Sequence, residues 1–196
     1  MKKEIKISEE NALNAYKNAS PEGKELLEHL LGKELFKPKD IRDRVKTFED
    51  ACNELGQDHP LVVQYLQTSS AYRGDALSED LIAYLKVRII TAALNEGWTP
   101  QFTTDEYRYY PWFVLYTQKE IDEMKEENKR RVLGRSVNNA HANAGVAYSS
   151  TSNASTYSNT GVGGRLCFKT EELAEYAGKQ FLDIWAEFMM FTTNGK

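Results

Sequence analysis

The sequence predicts an α+β fold: a helical N-terminal half, then a small antiparallel sheet packed on two long helices. Three observations carry this. Residues 1–75 hold helix caps followed by apolar residues at three- and four-residue spacing. Residues 109–117, Tyr-Tyr-Pro-Trp-Phe-Val-Leu-Tyr-Thr, concentrate strand-forming types. Apolar stripes at helical spacing flank that segment on both sides, at 77–94 and 173–189. Helices, then strands, then a helix favour α+β over alternating α/β. Residues 1–75 read as a helical N-terminal region and 76–196 as an α+β core, with a polar loop at 136–164.

Ser20-Pro21 is a helix start, since serine caps and proline is tolerated at the first helical position. Leu26, Leu27, Leu30 and Leu31 then share one face, and Phe36-Lys37-Pro38 ends the element. Thr47 is the next cap, with Glu49 and Asp50 near the helix N-terminus, where negative charge is favoured. Ala51, Cys52 and Leu55 form its buried face and Gly56 stops it. A further helix is expected from Pro60 to about Tyr72. Leu77, Leu81, Leu85 and Ile89 recur every four residues beside Ile82, Ile90 and Leu94, which predicts a central packed helix over 78–95 that Gly97 ends.

Pro111 cannot donate to a ladder, so 109–117 is expected as an edge strand or a strand start. Glu120–Arg131 reads as one charged, exposed helix. The stretch 136–164 contains no Asp, Glu, Lys or Arg, and 23 of its 29 residues are Ser, Thr, Asn, Gly or Ala. So little apolar surface does not offset backbone ordering, roughly 1–2 kcal/mol per residue, so a long loop is expected, with a short strand near Val146-Ala147-Tyr148. Arg165–Lys169 reads as a strand. Thr170 caps the last helix, whose face is Leu173, Ala177, Phe181, Ile184 and Phe188, with Trp185 and Met189 beside it.

The bulk numbers describe an ordinary globular chain: 196 residues, 41% hydrophobic, 28% charged. A formal charge of −4 gives no reason to expect general affinity for phosphate backbones. Residues 1–50 carry 11 basic and 11 acidic side chains, so they form no basic arm. The two cysteines, Cys52 and Cys167, make neither a disulfide framework nor a zinc pattern, and both are expected reduced. Met1–Ile7 is charged and lacks the apolar core of a signal peptide, and no run reaches the ~18 apolar residues of a membrane span. A cytoplasmic location in a host cell is expected, with carriage in a virion left open.

Nothing in the sequence specifies catalysis. His29, His59 and His141 share no ligand spacing with each other or with a cysteine, so neither a metal nor a cofactor is expected. There is no Gly-x-Ser-x-Gly elbow. Gly161-Val162-Gly163-Gly164 leads into a predicted strand, whereas a phosphate loop opens a helix. Cys167 lies between Leu166 and Phe168, the setting of a packed thiol. An enzyme reading would need convergence of carboxylates such as Asp105, Glu106 and Glu172, and no motif announces it.

The aromatic cluster is the candidate binding face: Tyr107, Arg108, Tyr109, Tyr110 and Trp112, continuing into Phe113 and Tyr116. Alternation sends Tyr110, Trp112 and Val114 one way and splits the other aromatics unevenly around a bulge at Pro111. One face is core; the other either holds a partner or is lid. Tyr148 and Tyr157, set among Asn and Ser, give the 136–164 loop a composition used at adaptable recognition surfaces, or one of a tolerated insertion. The expected partner is another protein, of phage or host, or the chain itself. The alternative is single-stranded nucleic acid, with the aromatics stacking bases and Lys169, Lys179 and Lys129-Arg130-Arg131 touching phosphates.

Two blocks of sequence carry a resemblance. One runs from Asn95-Glu96-Gly97-Trp98-Thr99-Pro100 to Tyr109-Tyr110-Pro111-Trp112-Phe113. The other is Arg165-Leu166-Cys167-Phe168-Lys169-Thr170 followed by Glu172–Phe181. Together, and more loosely with Lys46–Cys52, they resemble a family of short proteins encoded by bacteriophages and related mobile elements of gut anaerobes. The resemblance covers roughly residues 85–120 and 164–190. Its matching positions are aromatic and apolar, so it implies a fold core and a phage setting, with no catalytic set and no reaction.

Overall fold

The computed structural model describes residues 6–72, 79–101, 103, 105–136, 143–154 and 164–189. The fold is α+β, with an antiparallel sheet packed on helices. Two compact units divide between Arg44 and Val45.

The first unit holds α1 (Glu9–Asn18), α2 (Pro21–Leu31), a 3-10 turn at Lys33–Phe36 and α3 (Ile41–Arg44). Ser8 and Ser20 cap α1 and α2 through their hydroxyls. Gly32, at φ 88°, ends α2 five residues before the expected stop. The rings of Tyr16 and Phe36 stack at 4.2 Å, and the Tyr16 hydroxyl donates to Glu28. The expected four-leucine face divides. Leu27 and Leu31 are half-buried, while Leu26 and Leu30 are exposed, because the stripe is wider than the strip this small unit covers.

In the second unit α4 (Phe48–Leu55), α5 (Pro60–Ala71) and α6 (Glu79–Leu94) pack together, joined by α10 (Leu182–Met189). Thr47 and Asp50 form a complete capping box on α4. His59 caps α5: its Nδ1 accepts from the Leu61 N–H at 3.2 Å. Helix α6 is buried on more than its predicted stripe. Ala83, Leu85, Val87, Ile89, Ile90, Ala93 and Leu94 are all core, and buried Thr91 donates to the Val87 carbonyl at 2.8 Å. Leu81, at its open end, is exposed. The expected last helix is two, α9 (Glu171–Gln180) and α10, bent at buried Phe181.

The sheet has the order β1-β3-β2, all antiparallel: β1 (Arg108–Thr117), β2 (Leu133–Ser136) and β3 (Asn143–Ala154). This corrects the expected long loop. A twelve-residue strand crosses its middle, and only residues 137–142 and 155–163, with Tyr157, His141 and the 161–163 glycines, fall outside the described residues. Strand β3 is poor in apolar side chains, but it is the central strand. Its backbone groups pair with β1 over most of its length and with β2 at 143–146, and the aromatics of β1 supply the cover its own residues lack. Opposite Trp112 and Phe113 the register slips by one residue, Ser149, so the bulge lies on β3 and not at Pro111.

The single helix expected over 120–131 is also replaced. Gln118–Glu123 (α7) and Glu126–Lys129 (α8) are separated by extended Met124 and Lys125. The break turns the chain back so that Leu133 meets Val146. Ile121 and Val132 then close over Gly145, where a Cβ would run into both side chains.

One side-chain clamp ties α6 to the sheet. Segment 165–169 is not the expected strand but a 3-10 turn (Gly164–Leu166) followed by a single bridge, Phe168 to Tyr109, with both backbone hydrogen bonds made (2.9 and 3.1 Å). Pairing cannot propagate further along β1, because the next residue facing that edge is Pro111, which has no N–H. On the opposite side of the segment stands Asn95, buried at the end of α6. Its amide donates to the Cys167 carbonyl (2.8 Å) and accepts from the Lys169 N–H (3.0 Å). The side chain thus does for one edge of the segment what a neighbouring strand would do. Glu96, at φ 49°, and Gly97, at φ 80°, turn the chain away, and Glu96 pairs with Lys169 Nζ at 2.8 Å.

Replacing Asn95 by Ala should leave the buried Cys167 carbonyl and the part-buried Lys169 N–H without this partner and lower stability by about 2–4 kcal/mol, read by urea unfolding. Gly178→Ala tests the helix–sheet contact. A Cβ there would lie 2.6 Å from Tyr148 Cδ2 and 2.8 Å from Pro111 Cβ. A net loss of about 1–3 kcal/mol is expected despite alanine's better helix propensity, and a gain would show that the sheet yields.

Candidate functional site

The backbone of β1 decides which of its side chains meet solvent. Pro111 lies against Gly178 of α9, and the Phe113 ring lies 5.3 Å from that of Trp185 on α10. By alternation Tyr110 and Trp112 face the other side of the sheet. There the 164–167 segment covers the first half of the strand. Gly164 sits beside the Arg108 guanidinium, and Tyr110 lies within hydrogen-bonding reach of the Cys167 thiol. Farther along, Ile121 and Val132 cover Gly145, the cross-strand partner of Tyr116. Trp112 lies between these two covers and is 55% exposed.

The expected binding set therefore separates. Tyr107 and Trp112 are at the surface, Tyr107 at 58% exposure. Tyr109 is half-buried and held by its bridge to Phe168. Arg108 and Tyr110, at 3% and 5%, are core residues rather than surface groups, because the 164–167 segment lies over them. Tyr148 is structural: its ring packs on Gly178 and edge-on to Phe113, its hydroxyl shares a hydrogen bond with Thr151 (2.8 Å), and Lys179 Nζ stands 5.2 Å above the ring. Tyr157 is outside the described residues.

Leu115, not singled out by sequence, joins the surface set at 57% exposure. It pairs with fully buried Val146, so it belongs to the helix-facing side of the sheet but lies beyond the helices' reach. Trp112 and Leu115 thus flank the outer edge of β1, one on each face. The only sequence signal for this was the edge position that Pro111 implied.

Three of the cations expected to meet phosphates are paired with glutamates. Lys169 pairs with Glu96, Lys129 with Glu126 at 3.1 Å, and Lys179 with Glu175. Arg130 and Arg131 are exposed, within a segment whose basic and acidic residues balance. Among the described residues no three His, Cys, Asp or Glu side chains stand together as a metal site would need, and no helix is long and apolar enough to cross a membrane.

Cys167 is buried, and its thiol donates to the Gly164 carbonyl at 2.9 Å. Burial pushes the thiol up to about 11, against the opposing pull of the Arg108 charge. Cys52 is shifted the same way, by burial and then by the charge of Glu49. A thiol so protonated is a poor nucleophile. The raised folded-state value means that Cys167 contributes stability that is complete below about pH 9 and is lost as the pH climbs toward 11, an effect on the order of 2 kcal/mol. Parent and Cys167→Ala stabilities, measured by urea unfolding from pH 8 to 11, should therefore converge by about that amount. Parallel curves would show a thiol that titrates normally.

No protein-family model matches the chain, nor does a curated protein or a solved structure, so the reading of its function rests on its own residues.

Proposed function

We propose that this chain is a non-enzymatic accessory or structural protein of a bacteriophage or related mobile element, working in the host cell by binding another macromolecule, a protein. The outer edge of β1 is the contact. The observation that carries the reading is Trp112: a large aromatic residue, 55% exposed, on an edge strand where Tyr110 is buried and Phe113 and Tyr116 are half-buried. Indole side chains are enriched among the few residues that carry most of the energy of protein interfaces. The phage setting is supported by the resemblance of the two sequence blocks.

Single-stranded nucleic acid is the weaker reading. Base stacking along β1 needs a row of open rings beside cations. Tyr110 and Arg108 lie in the core, and Lys169 and Lys179 are paired with glutamates.

The test is affinity capture from infected or lysogenic cells with the parent and the Trp112→Ala variant, with and without nuclease. A protein retained after nuclease and lost by at least about tenfold with Trp112→Ala is expected, the scale of a truncated interface anchor. Capture abolished by nuclease would transfer the reading to nucleic acid. Equal capture by both variants would remove β1 from the contact.

A further inference from the structure

We propose that the outer edge of β1 beyond Pro111 is the interface with a second copy of this chain, formed by antiparallel pairing of the two β1 strands. This deepens the binding reading of β1 and rests on it.

The argument begins with the direction of the backbone groups. Tyr109 points its N–H and C=O outward, where Phe168 takes both. Residues two apart along a strand share direction, so Pro111, Phe113 and Leu115 also face outward, while Tyr110, Trp112, Val114 and Tyr116 face β3. The bulge is on β3, so the phase of β1 is unbroken. Pro111 loses nothing by lacking an N–H, because its nitrogen faces no ladder partner. At Phe113 and Leu115 the outward groups find no bonding partner among the described residues. Donors and acceptors repeating at that period match an extended backbone and no other chain conformation.

The same edge already makes one antiparallel bridge, Tyr109 to Phe168. That pairing ends at Pro111, which offers no N–H, and where the segment itself turns into the 3-10 turn at Gly164–Leu166.

The composition of β1 selects a second copy as the occupant. Exposed edges are ordinarily guarded by lysines or inward charges, yet Tyr109–Thr117 carries no charged residue, and its one proline lies at the already occupied end. The strand is itself preformed and extended, and a two-fold axis sets each copy's outward N–H groups opposite the other's carbonyls. Such an isologous contact is self-complementary. It extends each three-stranded sheet into one of six strands, and it covers Trp112 on one face and Leu115 on the other, the two large apolar residues that the monomer leaves open along this edge.

The experiment is sedimentation equilibrium on the full chain across a range of concentrations. The parent should pass from one chain mass to two as concentration rises. Leu115→Lys, which sets a charge at the edge on a side chain already exposed, should stay at one mass. Leu115→Pro removes the outward N–H without touching a bond to β3 and should do the same; Leu115→Val should still pair. Circular dichroism and thermal melting confirm that each variant is folded; if the proline variant is not, the lysine variant decides. A parent that stays monomeric, or a dimer that survives the lysine substitution, overturns the inference. A monomeric parent that still captures another protein through Trp112 overturns this pairing alone and leaves the binding reading standing. A monomeric parent that captures nothing removes both.

Discussion

The second unit depends on two hydrogen bonds made by one amide. Asn95 ends a deeply buried helix, α6, and grips the backbone on either side of Phe168, whose own backbone groups are bonded to Tyr109. Helix α6, strand β1 and the start of α9 are thereby joined through a three-residue segment. A buried polar side chain is costly unless satisfied, and here both ends of the amide are satisfied by groups that would otherwise be orphaned themselves. The clamp also places Thr170, whose hydroxyl accepts from the Leu173 N–H and starts α9.

From there the packing follows. Helix α9 lies on the sheet so closely that only glycine fits at 178, between Pro111 and Tyr148. Its continuation α10 carries Trp185 onto Phe113 and Phe188 onto Tyr84 of α6, and Glu187 pairs with Lys86. Tyr176 and Gln180 donate to the Val45 and Lys46 carbonyls, drawing in the turn that leads to α4. The two sequence blocks that stand out by composition are the two halves of this one contact. Their aromatic and apolar content is explained by packing, and among the described residues the large apolar side chains they leave exposed are few: Tyr107, Trp112 and Leu115.

Local signals were the most legible. Caps at Ser20, Thr47 and Thr170 mark true helix starts, and Gly56 and Gly97 stand at positive φ where helices end. These devices act within four residues and need no tertiary context. The polar strand β3 was not legible, because its support comes from hydrogen bonds and side chains of strands remote in sequence. Neither was the clamp. The one hint was a polar residue closing an otherwise apolar helix just before Glu96 and Gly97, a pattern that caps alone also produce.

The candidate surface divides along the same line. By itself the sequence determined an α+β fold, the edge position of β1 through Pro111, and an aromatic strand with more rings than one core face absorbs. Periodicity and a missing N–H are properties of the chain alone. Which of those rings reach solvent was decided only by the tertiary structure. Tyr110 and Trp112 share a face by alternation, yet the first is covered by a segment more than fifty residues away in sequence and the second is not. Burial is a property of what packs on a residue, and that partner is chosen by long-range contacts such as the Asn95 clamp, which no local pattern encodes.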